Sequence, residues 1–235
     1  MNILVTGATR GIGKSIANAC IESGQNVIAT GRNVELLKSY ENYFACDLST
    51  LEGMQKLGEK YKNKKIDVLI NNAGEYLYTP AIEGFDIVKL EHITRLNLEA
   101  PLYLASKSVS YMKEKGFGRI INIGSISGVM GEANASLYSA TKAGLIGATK
   151  ALALELAEYG ITVNTINPGW VDTELGNASI EDSEFSKEEI LDCIPQRRFV
   201  TPDEIAGMVE YLISDKAKGV TGQSINLCAG LSVGY

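Results

Sequence analysis

Short, unbroken apolar runs alternate along this chain with segments whose apolar positions recur at helical spacing. The first run, Asn2–Thr6, leads straight into Gly7 and predicts a buried strand followed by a turn. Gly11 to Ser23 places Ile12, Ile16, Ala17, Ala19, Cys20 and Ile21 on one side and stops at Gly24, which predicts a helix. Further strands are predicted at Asn26–Thr30, Tyr43–Cys46, Ile66–Ile70, Arg119–Ile123, Thr162–Ile166 and Gln223–Leu227. Helices are predicted at Val34–Tyr40, Ile87–Leu98, Pro101–Lys115 and Tyr138–Tyr159, with a kink near Ala100-Pro101. Ser49-Thr50-Leu51-Glu52 has the form of a capping box that opens a helix to about Lys62. Thr201-Pro202-Asp203-Glu204 combines a capping box with proline at the first helical position and opens a helix to Ile213.

Strands that are apolar throughout, rather than alternately, are buried on both faces. The pattern therefore predicts an α/β fold: a doubly wound parallel sheet of about seven strands, with helices on both faces. Residues 1–235 show no internal repeat, linker or low-complexity tract and read as a single domain. The least regular stretch, Trp170–Arg198, is rich in Glu, Asp and Ser. It reads as a mobile flap over a substrate, with a short helix near Ser186–Asp192.

Composition changes this picture mainly by exclusion. The 235 residues are 45% hydrophobic and 21% charged, ordinary values for a globular chain with a sizeable core. A net charge of −6 argues against nucleic acid or an anionic membrane as an unspecific partner. No apolar run reaches membrane-spanning length, and Met1–Gly7 lacks a basic leader, so a cytoplasmic location is expected. Cys20, Cys46, Cys193 and Cys228 form no Cys-x-x-Cys pair, so no zinc or thioredoxin-like site is indicated. The lone histidine, His92, reads as an ordinary helix residue, because no Gly-x-Ser-x-Gly elbow accompanies it.

Two stretches carry chemistry. Thr6-Gly7-Ala8-Thr9-Arg10-Gly11-Ile12-Gly13 lies between a strand and a helix, where glycines let the backbone approach a pyrophosphate at a helix N-terminus. An NAD site would place a carboxylate at the end of the second strand, for the ribose 2′-hydroxyl. That place reads Thr30-Gly31-Arg32. Arg32 and Arg10 instead offer guanidinium groups for a 2′-phosphate, so NADP(H) is the expected cofactor.

In the second stretch, Tyr138 and Lys142 are four residues apart on a predicted helix, one above the other on the same face. A phenol beside an ammonium suits acid–base work. Bringing a tyrosine from its usual pKa near 10 to neutrality takes roughly 4 kcal/mol of preferential phenolate stabilisation. A nearby lysine acts in that direction. Ser125 lies upstream, where its hydroxyl can meet a substrate oxygen. At helical spacing alone, the Tyr–Lys pair would fit an exposed surface pair as well.

Taken together, Thr6-Gly-x-x-x-Gly-x-Gly13, Asp47, Asn71-Asn72-Ala73-Gly74, Asn97, Ser125, Tyr138-x-x-x-Lys142 and Pro168-Gly169 resemble the short-chain dehydrogenase/reductase family over nearly the whole chain. The resemblance implies a Rossmann fold and interconversion of a carbonyl and a secondary alcohol by hydride transfer. It implies Tyr138 as general acid, Lys142 as the group that lowers its pKa and binds the nicotinamide ribose, and Ser125 as holder of the substrate oxygen. Asn97 would shape a proton relay. Gly7, Thr9, Arg10, Gly11, Ile12 and Gly13 would surround the pyrophosphate. Asp47 and Leu48 would contact the adenine, and Asn72, Ala73 and Gly74 would line the adenosine side. Pro168, Gly169, Val171 and Thr173 would hold the carboxamide end. No metal is implied. Family members commonly assemble as homodimers or homotetramers, through the helix after Tyr138 and the one before it.

Gly118–Ser125 and Lys142–Lys150 look most like 3-oxoacyl-carrier-protein reductases. Two stretches depart from that pattern: Glu75-Tyr76-Leu77-Tyr78-Thr79-Pro80, and Leu227-Cys228-Ala229-Gly230, where an Asp-Gly-Gly-like end is common. The acidic flap offers no basic dock for an acidic carrier protein. Polyols, sugars, steroids and small ketones therefore stay open as substrates. A dinucleotide-binding regulator without turnover is the alternative from another class, and the Ser125, Tyr138 and Lys142 set argues against it. A nucleotide-sugar epimerase shares the Tyr–Lys pair, but only about sixty residues follow Pro168-Gly169.

Overall fold

The computed structural model describes residues 1–62, 64–79, 86–174, 176, 180 and 186–233. Seven strands form one sheet: β1 (Asn2–Val5), β2 (Asn26–Gly31), β3 (Asn42–Ala45), β4 (Val68–Asn71), β5 (Gly118–Ile123), β6 (Ile161–Pro168) and β7 (Ser224–Leu227). Their order is β3-β2-β1-β4-β5-β6-β7 and every pairing is parallel. The helices are α1 (Gly11–Glu22), α2 (Val34–Leu37), α3 (Leu51–Tyr61), α4 (Ile87–Thr94), α5 (Ala100–Lys115), α6 (Ser127–Met130), α7 (Ser136–Leu156), α8 (Lys187–Cys193) and α9 (Pro202–Ile213).

The two-residue period of a strand divides the core into two layers. Ile3 and Val5 of β1 point to one face and pack with Ile16, Ala17 and Cys20 of α1 and with Ile205, Val209 and Leu212 of α9. Leu4, between them, points to the other face, among Met54 and Leu57 of α3, Leu104 of α5 and Ala153 and Leu156 of α7. Both faces are covered, which is why these strands carry no polar alternation. Each fully buried aliphatic side chain contributes about 1.5–3 kcal/mol to this arrangement. The strand order turns back at β1 and β4, and the crevice between their carboxyl ends is where a doubly wound sheet takes its ligands.

The expected strands and long helices are present, most with bounds moved by a residue or two. Three local readings change. Helix α3 is capped by Thr50, whose hydroxyl accepts from Gly53 N at 3.0 Å, rather than by a Ser49–Glu52 box. Ser49 is occupied elsewhere: its hydroxyl donates to Asp47 Oδ1 at 2.7 Å. Val34–Tyr40 shortens to the single turn of α2, capped by Asn33. At Ala100-Pro101, where a kink is expected, the helix runs on without interruption. A π-helical turn, Arg95–Glu99, joins α4 to α5, and Ala100 N bonds Arg95 O five residues back. A proline ring collides with the carbonyl four residues before it, so widening the turn lets the helix pass through Pro101. The box at Thr201 and Glu204 forms as expected, with Pro202 first in the helix. Ser186 and Glu189 form another at the start of α8, close to the helix expected inside the flap. Residues 175, 177–179 and 181–185 of that flap, and Pro80 of the stretch after Gly74, lie outside the described residues.

Candidate active site

A cavity of about 1560 Å³ opens at the carboxyl edge of the sheet. Every cofactor-binding and catalytic candidate named from the sequence lines it, Asn97 excepted. Chain order explains the convergence: Gly7 follows β1, Gly31 ends β2, Asp47 follows β3, Asn72 follows β4, Ser125 follows β5 and Pro168 ends β6.

The glycine turn is built for close approach. Gly7 and Gly11 have φ of +67° and +51°, a left-handed backbone that side chains disfavour. A Cβ on Gly13 would lie 2.2 Å from Gly7 O and 2.3 Å from Asn72 Nδ2. Asn72 braces the turn by donating from Nδ2 to Thr6 O (2.9 Å) and Gly7 O (3.1 Å). Thr6 Oγ1 accepts from the backbone N–H groups of Asn72 and Ala73, each at 3.0 Å. Helix α1 begins here, and its N-cap residue, Arg10, makes no side-chain cap bond. Its first N–H groups therefore remain for an anion, which the helix dipole favours.

At the far end, Arg32 and Asp47 share the cavity wall. Burial works against ionisation of Asp47. Hydrogen bonds from the Ser49 hydroxyl and N–H, with the charges of Arg32 and His92, outweigh it and hold the carboxyl below its usual range. Arg10 Nη1 meets Glu174 Oε2 at 3.1 Å, an exposed pair of small energetic weight. A glycine cradle, an uncapped helix start and a guanidinium in one elongated cavity fit a phosphate-bearing dinucleotide.

The acid–base corner lies at the opposite end. Lys142 is 4% exposed, and its Nζ donates to Ile123 O at 2.9 Å. Burial lowers its pKa to about 8. The same Nζ lies 5.7 Å from the centroid of the Tyr138 ring. Burial pushes the Tyr138 phenol up to about 12; the Ser125 hydroxyl opposes this and the Glu132 carboxylate adds to it. The ammonium is turned to the Ile123 carbonyl, and desolvation dominates both groups. Tyr138 is held as a protonated phenol, the form a proton donor needs.

Asn97 sits in the π-helical turn, 1% exposed, behind the cavity wall. Its Oδ1 accepts from Glu75 N and its Nδ2 donates to Glu75 O, both at 3.0 Å. A Cβ on Gly74 would lie 3.2 Å from Asn97 Oδ1 and 3.3 Å from Lys142 Nζ, so the three residues share one corner.

Three further residues join the site without having been singled out. Ser125 Oγ donates to Ser127 Oγ at 3.0 Å, and Ser127 Oγ donates to Glu132 Oε2 at 2.5 Å. Tyr76 donates to Glu132 Oε1 at 2.9 Å, and its ring meets Tyr138 edge-on at 5.1 Å between centroids. Tyr76 belongs to the stretch after Gly74 that departs from the carrier-protein reductases, which was a signal in the sequence. Ser127 and Glu132 gave none.

The family model described as enoyl-(acyl carrier protein) reductase matches residues 7–232. The 3-oxoacyl-(acyl-carrier-protein) reductase FabG of Buchnera aphidicola subsp. Schizaphis graminum is 38% identical over 240 residues, covering 97% of this chain and 96% of that one. Nodulation protein G of Azospirillum brasilense is 37% identical over 244 residues, covering 97% of each. Among solved structures, a variant of actinorhodin polyketide ketoreductase with NADPH superposes with a TM-score of 0.91 at 35% identity, covering 99% of this chain and 97% of that one. With a family model over nearly the whole chain and relatives above one-third identity across almost their full lengths, the chain belongs to the short-chain dehydrogenase/reductase family.

Proposed function

We propose that this oxidoreductase interconverts a carbonyl and a secondary alcohol with NADP(H), and that Tyr138 exchanges the proton at the substrate oxygen. The observation that carries the reading is the convergence of Ser125, Tyr138 and Lys142 in the cavity that also holds the Gly7–Gly13 turn and Arg32. The bound cofactor supplies the hydride. The chain's own groups do the rest. Gly7, Gly11, Gly13 and the start of α1 receive the pyrophosphate, and Arg32 takes the 2′-phosphate. Thr9, Arg10, Ile12, Asp47, Leu48, Asn72, Ala73 and Gly74 flank the adenosine half. Pro168, Gly169, Val171 and Thr173 flank the nicotinamide half. Ser125 holds the substrate oxygen, and the protonated Tyr138 gives its proton as negative charge develops there. Lys142 steadies the phenolate that results. Asn97 fixes the backbone of Glu75 and with it the wall beside Lys142.

The relatives named above are reductases of 3-oxoacyl and polyketide substrates by name, which supports a 3-oxo compound as one substrate class. We read the protein as cytoplasmic, supported by four unpaired thiols. We read it as a homodimer or homotetramer using α5 and α7, supported by Leu102 and Leu154, which stand exposed on those helices. Light scattering after size exclusion checks the assembly.

The reaction is checked by following NADPH and NADH oxidation with a panel of ketones that includes a 3-oxoacyl thioester. Turnover with NADPH, lost in Tyr138→Phe while NADPH binding persists, is expected. Equal turnover in that variant would overturn the role of Tyr138.

A further inference from the structure

The cavity wall that holds Tyr138 also carries a carboxylate that the reduction reading does not use. Glu132 lines the cavity and is half-buried. It is not a loose surface group: its backbone N–H donates to Ser139 Oγ at 3.2 Å, and each carboxylate oxygen already accepts one hydroxyl, from Ser127 and from Tyr76. Among the described residues no lysine, arginine or histidine pairs with it. A carboxylate offers about four acceptor sites, so roughly two remain after Ser127 and Tyr76 are counted. One of its oxygens is two hydrogen bonds from Ser125 Oγ, through Ser127. Tyr76 touches both Glu132 and Tyr138, and these three line one cavity with Ser125, so a substrate seated on Ser125 and Tyr138 has this carboxylate in its wall.

Resting on the reduction reading, we propose that Glu132 is a specificity-determining residue that binds a hydrogen-bond donor, a hydroxyl or an ammonium, on the carbon beside the reacting carbonyl. Hydrocarbon laid against the free acceptor sites would strip water from a charge and return nothing. A second carbonyl on that carbon, as in a 1,2-diketone, would set acceptor against acceptor. A donor closes a charge-assisted hydrogen bond. Ser127 and Tyr76 fix the carboxylate's orientation, so the selection is for position as well as polarity.

The test compares acetoin, the corresponding α-aminoketone and butanone, which carries neither donor, by NADPH oxidation with the wild-type chain and Glu132→Gln. A wild-type preference of about ten-fold or more in kcat/KM for a donor-bearing ketone over butanone is expected, carried by KM. Glu132→Gln should shrink that preference; an amide oxygen still accepts a hydrogen bond but carries no charge, so a larger loss for the aminoketone than for acetoin separates the two donors. A wild-type preference near one overturns the proposal, whether or not the variant folds. So does a preference unchanged in Glu132→Gln whose NADPH binding is intact. Turnover of a 3-oxoacyl thioester but of none of the three ketones also overturns it, while the reduction reading stands. If no carbonyl compound is reduced, both readings fall.

Discussion

Asn97 grips Glu75 with both ends of its amide, accepting from the backbone N–H and donating to the backbone carbonyl at 3.0 Å each. Asn97→Ala strips both partners from a partly buried backbone. About 1–3 kcal/mol is at stake for each group left unsatisfied. Denaturation should show a loss of that size, and kcat should fall with it, because the wall beside Lys142 is no longer fixed. A variant as stable and as active as the wild type would remove Asn97 from the site's support.

Lys142 has a folded-state pKa of about 8 against an ordinary 10.5. Between those values the unfolded chain carries a proton that the native chain has lost, so stability rises with pH across that window. Lys142→Met removes the effect. The stability of the wild type relative to that variant should therefore grow by about 3 kcal/mol between pH 7 and pH 10.5. Urea titrations of both proteins at the two pH values measure it; a constant difference would mean that the ammonium is not strained by burial.

Gly13 has no room for a side chain, since an added Cβ would lie 2.2 Å from the Gly7 carbonyl oxygen. That neighbour is backbone and cannot swing away. Gly13→Ala should cost about 1–3 kcal/mol in chemical denaturation, as overpacking does, and should weaken NADPH binding measured by fluorescence.

On the proposed reading, Arg32 tells NADPH from NADH. Arg32→Ala should raise the KM for NADPH about ten-fold or more and leave that for NADH nearly unchanged, since only the former has a 2′-phosphate to lose. Equal effects on both cofactors would put the phosphate contact elsewhere.

The sheet was legible because its central strands are apolar on both faces, as at Ile3, Leu4 and Val5 and at Val68, Leu69 and Ile70, where every residue is buried. The Tyr138–Lys142 pair was legible because helical spacing alone places the two together. The cap of α3 was misread by one residue because Ser49 and Thr50 are equally able to cap, and the contact to Asp47 that decides between them is tertiary. The π-helical turn was hidden because proline signals a break unless the packing around it holds the helix continuous. Glu132 was invisible for a different reason: Tyr76, which helps make it part of the site, lies 56 residues away. No local period reports such a meeting.

The widened turn at Arg95–Glu99 also sets the phase of the chain that precedes it. One residue more than an α-helical turn is absorbed there without a break. Removing one residue from this turn would let it close to the ordinary period with α4 still in phase, whereas an added residue elsewhere in α4 would turn everything before it by about 100° around the common axis. Ile93, 1% exposed, keeps its inward facing because the extra residue is taken up in the turn. The turn is therefore the place on this helix where a change of length leaves the upstream residues facing as they do, and the residue such a change displaces is Asn97, which the turn carries.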